Sequence, residues 1–417
     1  MANGSVESAH TPTRIQVRPR DLARYLGPAF LVSVGYIDPG NWATNIAAGS
    51  DFNYSLLWVI LLSNVIAIIL QSLSAKLGLA SGKNLAELCR ERFSPATVVS
   101  FWIVMEIAMM ATDIAEFLGA ALGFNILFGI SMPVAALLTV VAVYLILGVE
   151  RFGFRKIEYT IIGLVSIVGL CYVIELMMTK PDAGALVTGL VIPSLPGGSL
   201  FVAVGILGAT VMPHNLFLHS EIIKTRLGMM RTHGWTLRHV VRFAFVDCLV
   251  ALNISFLINA AMIVMAAAVF FSHGIPVHSI EQAHETLSPL LGKLSGGAFA
   301  IALLASGLSS SVTATMSGQI VMGGLMKFNI SLWWRRTITI FPALIVIFLG
   351  LDTLKILILS QVTLSIALPF ACIPLLLFTS QKKLMNEFKN SRAMAVLGGT
   401  VIAVIIYLNI LLIMQLL

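Results

Sequence analysis

Asp38, Asn41 and Met212 are the residues of this chain whose types and setting best fit chemistry. The stretch "VGYIDPGNWATNIA" (34–47) sets a carboxylate, a proline, a glycine and an asparagine in succession inside an apolar run. A second apolar run, "GATVMPHNLFLHS" (208–220), carries Met212-Pro213-His214-Asn215 at similar depth. Proline removes a backbone donor and crowds the preceding turn, and glycine loosens what remains. The helix is therefore expected to unwind at 38–41 and again at 212–215, freeing carbonyls such as those of Gly35 and Ala209. Asp38 offers anionic oxygen, Asn41 neutral oxygen and Met212 a thioether sulfur. Oxygen alone suits Mg²⁺, Ca²⁺ or Na⁺. A thioether rewards softer ions, so the set fits a divalent transition metal such as Mn²⁺ or Fe²⁺. A carboxylate at mid-bilayer costs roughly 2.5–3.5 kcal/mol, which argues against Asp38 as filler. Most of the 18 methionines fill gaps; Met212 stands apart by its place beside Pro213.

A second group of chemical residues lies in "MEIAMMATDIAEF" (105–117), where Glu106, Asp113 and Glu116 interrupt an apolar span. At about 100° per residue, Asp113 lies about 20° from Glu106 and Glu116 about 80° from it, so one helix face carries all three. Three buried anions need protons or basic partners. Carboxylate chains of this kind relay protons in transport proteins. The plainer reading is ion pairing with Arg335 and Arg336, which otherwise serve as interface anchors beside Trp333 and Trp334. His214 titrates in a useful range, and its part in proton movement stays open at this point. Asn259 and Thr112 fit either a pathway or helix–helix bonding. Asp247 and Glu175, near span ends, read as structural, and His273, His278 and His284 as solvated loop residues.

The elements that must hold these groups follow from composition. The 417 residues are 58% hydrophobic and 11% charged, a composition of polytopic helical membrane proteins. Eleven apolar spans start near Leu26, Tyr54, Val98, Pro133, Tyr159, Leu200, Val241, Gly297, Leu332, Thr353 and Met394. The amino-terminal tail (1–23) and every second connection after it hold 23 of the 26 Lys and Arg; only Lys180, Lys293 and Lys355 fall on the other side. Excess positive charge marks cytoplasmic loops, which places the amino terminus inside and the carboxyl terminus outside. The tail reads as disordered, without a cleavable signal. Five spans separate the two interrupted helices, and an odd number inverts the second set in the membrane. Paired interruptions in two inverted halves point to a transporter's central site. The fold class is thus all-α and polytopic, with two five-helix repeats (about 24–180 and 198–380) and an extra helix at about 394–416. Cys89, Cys171, Cys248 and Cys372 are scattered and read as core thiols.

At DPGN (38–41), MPHN (212–215), "MATDIAEFLGAAL" (110–122), "ALLASGLSSS" (302–311) and "LILSQ" (357–361), the sequence resembles the Nramp family of divalent metal transporters, in its bacterial manganese-transport branch. The likeness spans nearly the whole membrane domain. It implies the fold of the sodium-coupled amino acid transporters and proton-coupled uptake of transition metal across the bacterial inner membrane. By the same resemblance Asp38, Asn41 and Met212 are side-chain metal ligands, joined by the carbonyls of Gly35 and Ala209 and by Gln361 on the tenth span. It also implies a proton route from Asp38 through Asp113 and Glu116 to the arginines. The family often has alanine where this chain has Gly35, and its magnesium-transporting branch lacks the methionine.

Other classes fit less well. An amino acid transporter of the same fold would set the substrate carboxylate beside an anionic Asp38. No HExxH motif supports a metalloprotease, and "SGKNL" lacks the phosphate-loop spacing, so neither an enzyme nor an ATP-driven pump is expected. A passive metal channel stays open. No cofactor is expected beyond the transported Mn²⁺ or Fe²⁺. Protons and the bilayer are the other partners, nucleic acid is not, and a monomer is the working expectation.

Overall fold

The computed structural model describes residue 25 and residues 27–149, 154–179, 181–228, 230, 235–291, 293–328 and 330–416. The tail with Arg14, Arg18, Arg20 and Arg24 lies outside them, as do Arg151, Lys180 and Arg231. Among the described residues there are helices and no strand. Among the described residues, seven helical runs are long and apolar enough to cross a bilayer, and shorter apolar stretches lie at Pro28–Ile37, Met132–Ile146 and Ile162–Met178. With the helix Leu332–Phe348 these account for the eleven expected spans. The expectation missed short helices in the connections, at Leu85–Arg92, Ala183–Val191, Ile280–Leu291 and Lys382–Met385.

The first span is split into α1 (Pro28–Ser33), a 3-10 turn at Gly35–Ile37, and α2 (Pro39–Phe52). The break therefore runs from Val34 to Asp38, so of the DPGN motif only Asp38 lies in it. Asp38 is the extended hinge, at φ −65° and ψ 164°, and Pro39 opens the next helix. Proline at the first helical position loses a donor that would be unpaired anyway, so it begins a helix better than it interrupts one. The Asp38 carboxylate caps α2 by accepting the Asn41 N–H at 2.7 Å. The sixth span repeats the arrangement: α9 (Leu200–Thr210) stops, Val211 leaves the helical conformation at φ −119° and ψ 76°, Met212 is extended, and Pro213 starts α10 (Pro213–Ile222). Gly40, Asn41, His214 and Asn215, expected in unwound chain, are helical.

Around this pair stand α3 (Leu57–Ser81), α4 (Leu85–Arg92), α5 (Pro95–Phe128), α6 (Met132–Val149), α7 (Phe154–Met178) and α8 (Ala183–Val191). Beyond α10 follow α11 (Leu237–Val269), α12 (Ile280–Leu291), α13 (Lys293–Met326), α14 (Leu332–Phe348), α15 (Thr353–Thr379), α16 (Lys382–Met385) and α17 (Arg392–Leu416). The longest packing seam joins α5 to α13, the third and eighth spans; α2 rests on α9, α11 and α15. Local chemistry sets the ends. Ser94 caps α5 with Pro95 at its first position, and Gly129, at φ 63°, ends it in a left-handed conformation that favours glycine. Asp247 of α11 accepts the N–H of Ala29 at 2.8 Å and of Gly27 at 3.3 Å. A distant carboxylate thus caps α1, which has no side-chain cap of its own. All four cysteines are buried and free.

Candidate metal site

The first break exposes a run of carbonyls, and where each finds its partner decides what remains available. Val32 O accepts from Asn215 Nδ2 at 3.4 Å, and Ser33 O from Ser255 Oγ at 3.2 Å. Val34 O takes the Ile37 N–H at 3.0 Å. Tyr36 O accepts from Asn259 Nδ2 at 2.6 Å, and Ile37 O from Ser306 Oγ. Gly35 O is held most loosely, by the Asp38 N–H and Asn41 Nδ2, both at 3.4 Å. Asn259, Ser255, Ser306 and Asn215 therefore act as brackets for the unwound backbone. That settles Asn259 as structural support here. Thr112 bonds its own helix at Ala108 O, 3.1 Å away.

The Asn41 side-chain amide sits where the two breaks meet. Its Nδ2 donates to Asp38 Oδ1 at 2.7 Å, Ala209 O at 3.0 Å and Gly35 O at 3.4 Å. Three oxygens, one of them anionic, thus converge on a single point. The other Asp38 oxygen accepts from Gln361 Nε2 of α15 at 3.4 Å. Met212 Sδ borders Gly35 closely enough that a Cβ there would lie 3.1 Å from the sulfur. Asp38, Asn41, Ala209, Met212 and Gln361 are all 0% exposed. Gln361 reaches the break only because Gly40 has no side chain; a Cβ at Gly40 would overlap its amide. Pro39 packs against Gly119 of α5 in the same side-chain-free way.

Several acceptors around this point are unused. Asn41 Oδ1, Gln361 Oε1, Asn215 Oδ1 and the Thr210 hydroxyl are buried without a hydrogen-bond partner among the described residues. A buried polar group left unsatisfied costs about 1–3 kcal/mol, so such a cluster calls for a ligand that uses oxygen. The carbonyl ends of α1 and α9 and the Asp38 carboxylate make the point attractive to a cation.

The α5 carboxylates continue from here. Gly119, against Pro39, lies one turn from Glu116, and Glu106 lies roughly 15 Å further along the helix. Arg335 grips Glu106 in a two-pronged pair, at 2.9 and 3.2 Å. Arg336 bonds Asp113 and the Ser311 hydroxyl, and stands 3.8 Å from Glu116. Glu116 Oε2 makes no hydrogen bond among the described residues. The anchor reading of the arginines fails: Trp333 and Trp334 are 53% and 67% exposed, whereas Arg335 and Arg336 are 4% and 0% exposed. The tryptophans alone face outward, because the carboxylates draw both guanidinium groups inside.

His214 is buried in the first turn of α10, with Nδ1 unpartnered among the described residues. His219 lies further along α10 and is also buried. It shares a hydrogen bond between Nδ1 and Gln71 Oε1 at 2.9 Å, and Gln71 Nε2 donates to the Tyr36 hydroxyl at 2.6 Å. Gln71, a polar residue inside an apolar span, was the available signal for this chain. Glu175 is fully buried, and neither of its oxygens has a hydrogen-bond partner among the described residues. His273 lines a cavity of about 550 Å³ with Tyr54 and Asp182, at the end opposite the basic connections. His284 is not in a solvated loop: it is half-buried on α12, where burial lowers its pKa.

Residues 29–415 match the family model described as "Natural resistance-associated macrophage protein-like". The chain belongs to the Nramp family. It is 49% identical over 392 residues to the "Divalent metal cation transporter MntH" of Caldanaerobacter subterraneus subsp. tengcongensis, covering 93% of this chain and 91% of that relative. It is 43% identical to the protein of the same name in Yersinia pestis, over the full length of both. Among solved structures it is similar to the Eremococcus coleocola manganese transporter in complex with an aromatic bis-isothiourea substituted compound. The TM-score there is 0.85 and the identity 36%, over 94% of this chain and 86% of that one. MHP1, a nucleobase-cation-symport-1 family transporter in a closed conformation, shares the fold alone, at TM-score 0.57 and 14% identity. These Nramp relatives are named as transporters, not enzymes.

Proposed function

We propose that the chain carries divalent transition-metal ions into the cytoplasm together with protons, by alternating access. Mn²⁺ is the leading substrate, with Fe²⁺, Cd²⁺ and Co²⁺ accepted. The observation that carries this reading is the convergence of Asp38 Oδ1, Gly35 O and Ala209 O on the Asn41 amide, with Met212 and Gln361 beside it. The amide nitrogen stands among oxygens that suit a cation. When the metal enters, Asn41 turns its amide so that Oδ1 replaces Nδ2, and a donor at the centre becomes a fourth oxygen ligand. Met212 and Gln361 complete the shell. The names of the relatives, one a divalent metal cation transporter and one a manganese transporter, support the cargo.

Coupling rests on the α5 carboxylates. Asp113, Glu116 and Arg336 place two acids on one guanidinium, so the group can take up a proton without leaving a buried net positive charge. Protons pass from Asp38 along Glu116, Asp113 and Arg336 towards Glu106 and Arg335, with His214 as a further stop near the break. The basic connections lie in the cytoplasm, the carboxyl terminus lies outside, and the chain works as a monomer in the bacterial inner membrane. Residues 1–23 form a tail, about 24–180 and 198–380 the two inverted repeats, and about 394–416 an added helix.

The test is Mn²⁺ uptake into proteoliposomes with an internal pH dye. Saturable uptake with parallel acidification supports the reading; non-saturating flux would mean a channel, and amino acid uptake would mean a different cargo. Asp113→Asn should cut proton entry about tenfold or more while metal entry persists. The membrane potential alone supplies about 4.6 kcal/mol per 100 mV to a dication, from roughly 2.3 per charge. Unchanged proton flux at equal protein would refute the relay. Gly40→Ala should push the Gln361 amide away from Asp38. Overpacking of this kind costs about 1–3 kcal/mol, so Mn²⁺ affinity should fall about tenfold in a protein that still inserts. Wild-type affinity would remove Gln361 from the ligand set.

A further inference from the structure

Towards the end that carries the basic connections, a groove of about 490 Å³ runs between α3, α11 and the start of α17. Its trough is apolar, built from Ile69, Leu73, Phe245 and Met394, and Lys76 and Arg242 also line it. Flanking side chains face outward: Phe245 is 49% exposed, Val65 47% and Leu249 40%. On a membrane-spanning body such a face meets acyl chains, so the groove opens to lipid. Lys76 bonds the neutral Asn390 side chain, and Arg242 makes no hydrogen bond or ion pair among the described residues. Neither cation is paired with a carboxylate among the described residues. The nearby Arg238, by contrast, is held by Glu387 at 2.6 Å.

We propose that this groove is a binding site for an anionic phospholipid, with one acyl chain in the trough and the phosphate between Lys76 and Arg242. Two cations next to an apolar trough match an amphiphile with a net negative headgroup. Basic pockets between spanning helices hold such lipids. Arg242 suits the phosphate because its planar fork can donate two parallel bonds, while Lys76 adds charge from a flexible stem. A zwitterionic headgroup would set its own ammonium against the same two cations. The site rests on α3, α11 and α17, which supply none of the six metal-site groups.

The test is native mass spectrometry of the full chain in mild detergent. It is titrated with 1-palmitoyl-2-oleoyl phosphatidylglycerol and separately with the phosphatidylcholine of the same chains. The wild type should hold phosphatidylglycerol through detergent removal and bind it at least tenfold better than phosphatidylcholine. Lys76→Gln with Arg242→Gln should weaken phosphatidylglycerol binding about 30-fold, the scale set by two interfacial cations. Arg238→Gln should leave it unchanged. Equal wild-type binding of the two lipids would overturn the proposal without any variant. So would full phosphatidylglycerol binding by the double variant, or an equal loss in Arg238→Gln.

Discussion

Asp38→Asn should lower Mn²⁺ uptake by roughly two to four orders of magnitude in a protein that inserts and folds normally. Asp38 is the only carboxylate in either break, and it is fully buried. Its Oδ1 shares the Asn41 amide nitrogen with Gly35 O and Ala209 O. Without the negative charge, a dication stripped of water would face only neutral ligands. Leaving a buried charge without its partner costs about 3–5 kcal/mol, which sets the size of the loss. The helix cap should largely survive, since the asparagine oxygen can still accept the Asn41 N–H that Asp38 accepts at 2.7 Å. The measurement is initial-rate uptake in proteoliposomes with circular dichroism as the folding control. Uptake within a few fold of wild type would remove Asp38 from the site.

Met212→Ala should change selectivity more than rate. Charge and oxygen from Asp38, Asn41, Gly35 and Ala209 would hold Ca²⁺ or Mg²⁺ as readily as Mn²⁺. The sulfur of Met212 gives a hard ion too little to replace lost water, and rewards a softer one. Met212 is the N-cap residue of α10 in the two-residue gap after α9, and its side chain makes no cap hydrogen bond, so the sulfur is available for this. Asn215 Nδ2 donates to its Sδ at 3.5 Å, which fixes where the sulfur points. Removing it leaves room for water, an oxygen ligand. Uptake of Ca²⁺, or competition by excess Ca²⁺ and Mg²⁺, should rise about tenfold or more. Cd²⁺ binding should weaken by a similar factor, and Mn²⁺ transport should persist at reduced affinity. A variant that still ignores both hard ions and holds Cd²⁺ as tightly as before would reduce Met212 to packing.

The spans, the two interruptions and the side chains gathered at them were legible in the sequence. Each is a local signal: runs of apolar residues, proline with a carboxylate or thioether in mid-run, and acids spaced on one helix face. The position of each break was not. Asp38 and Pro39 look like an interruption when read alone, but a capping carboxylate followed by proline is how α2 begins. Which carbonyls stay loosely held was decided by tertiary structure, because Asn259, Ser255, Ser306 and Asn215 reach in from other elements to take the rest. The contact of Gln361 with Asp38 needs Gly40, and the burial of Arg335 and Arg336 needs the α5 carboxylates opposite them. The sequence by itself determined which groups sit at bilayer depth, since hydropathy and backbone chemistry act within a few residues. Only the packed helices decided which of those groups meet, because hydrogen bonds and ion pairs there join residues more than 200 positions apart.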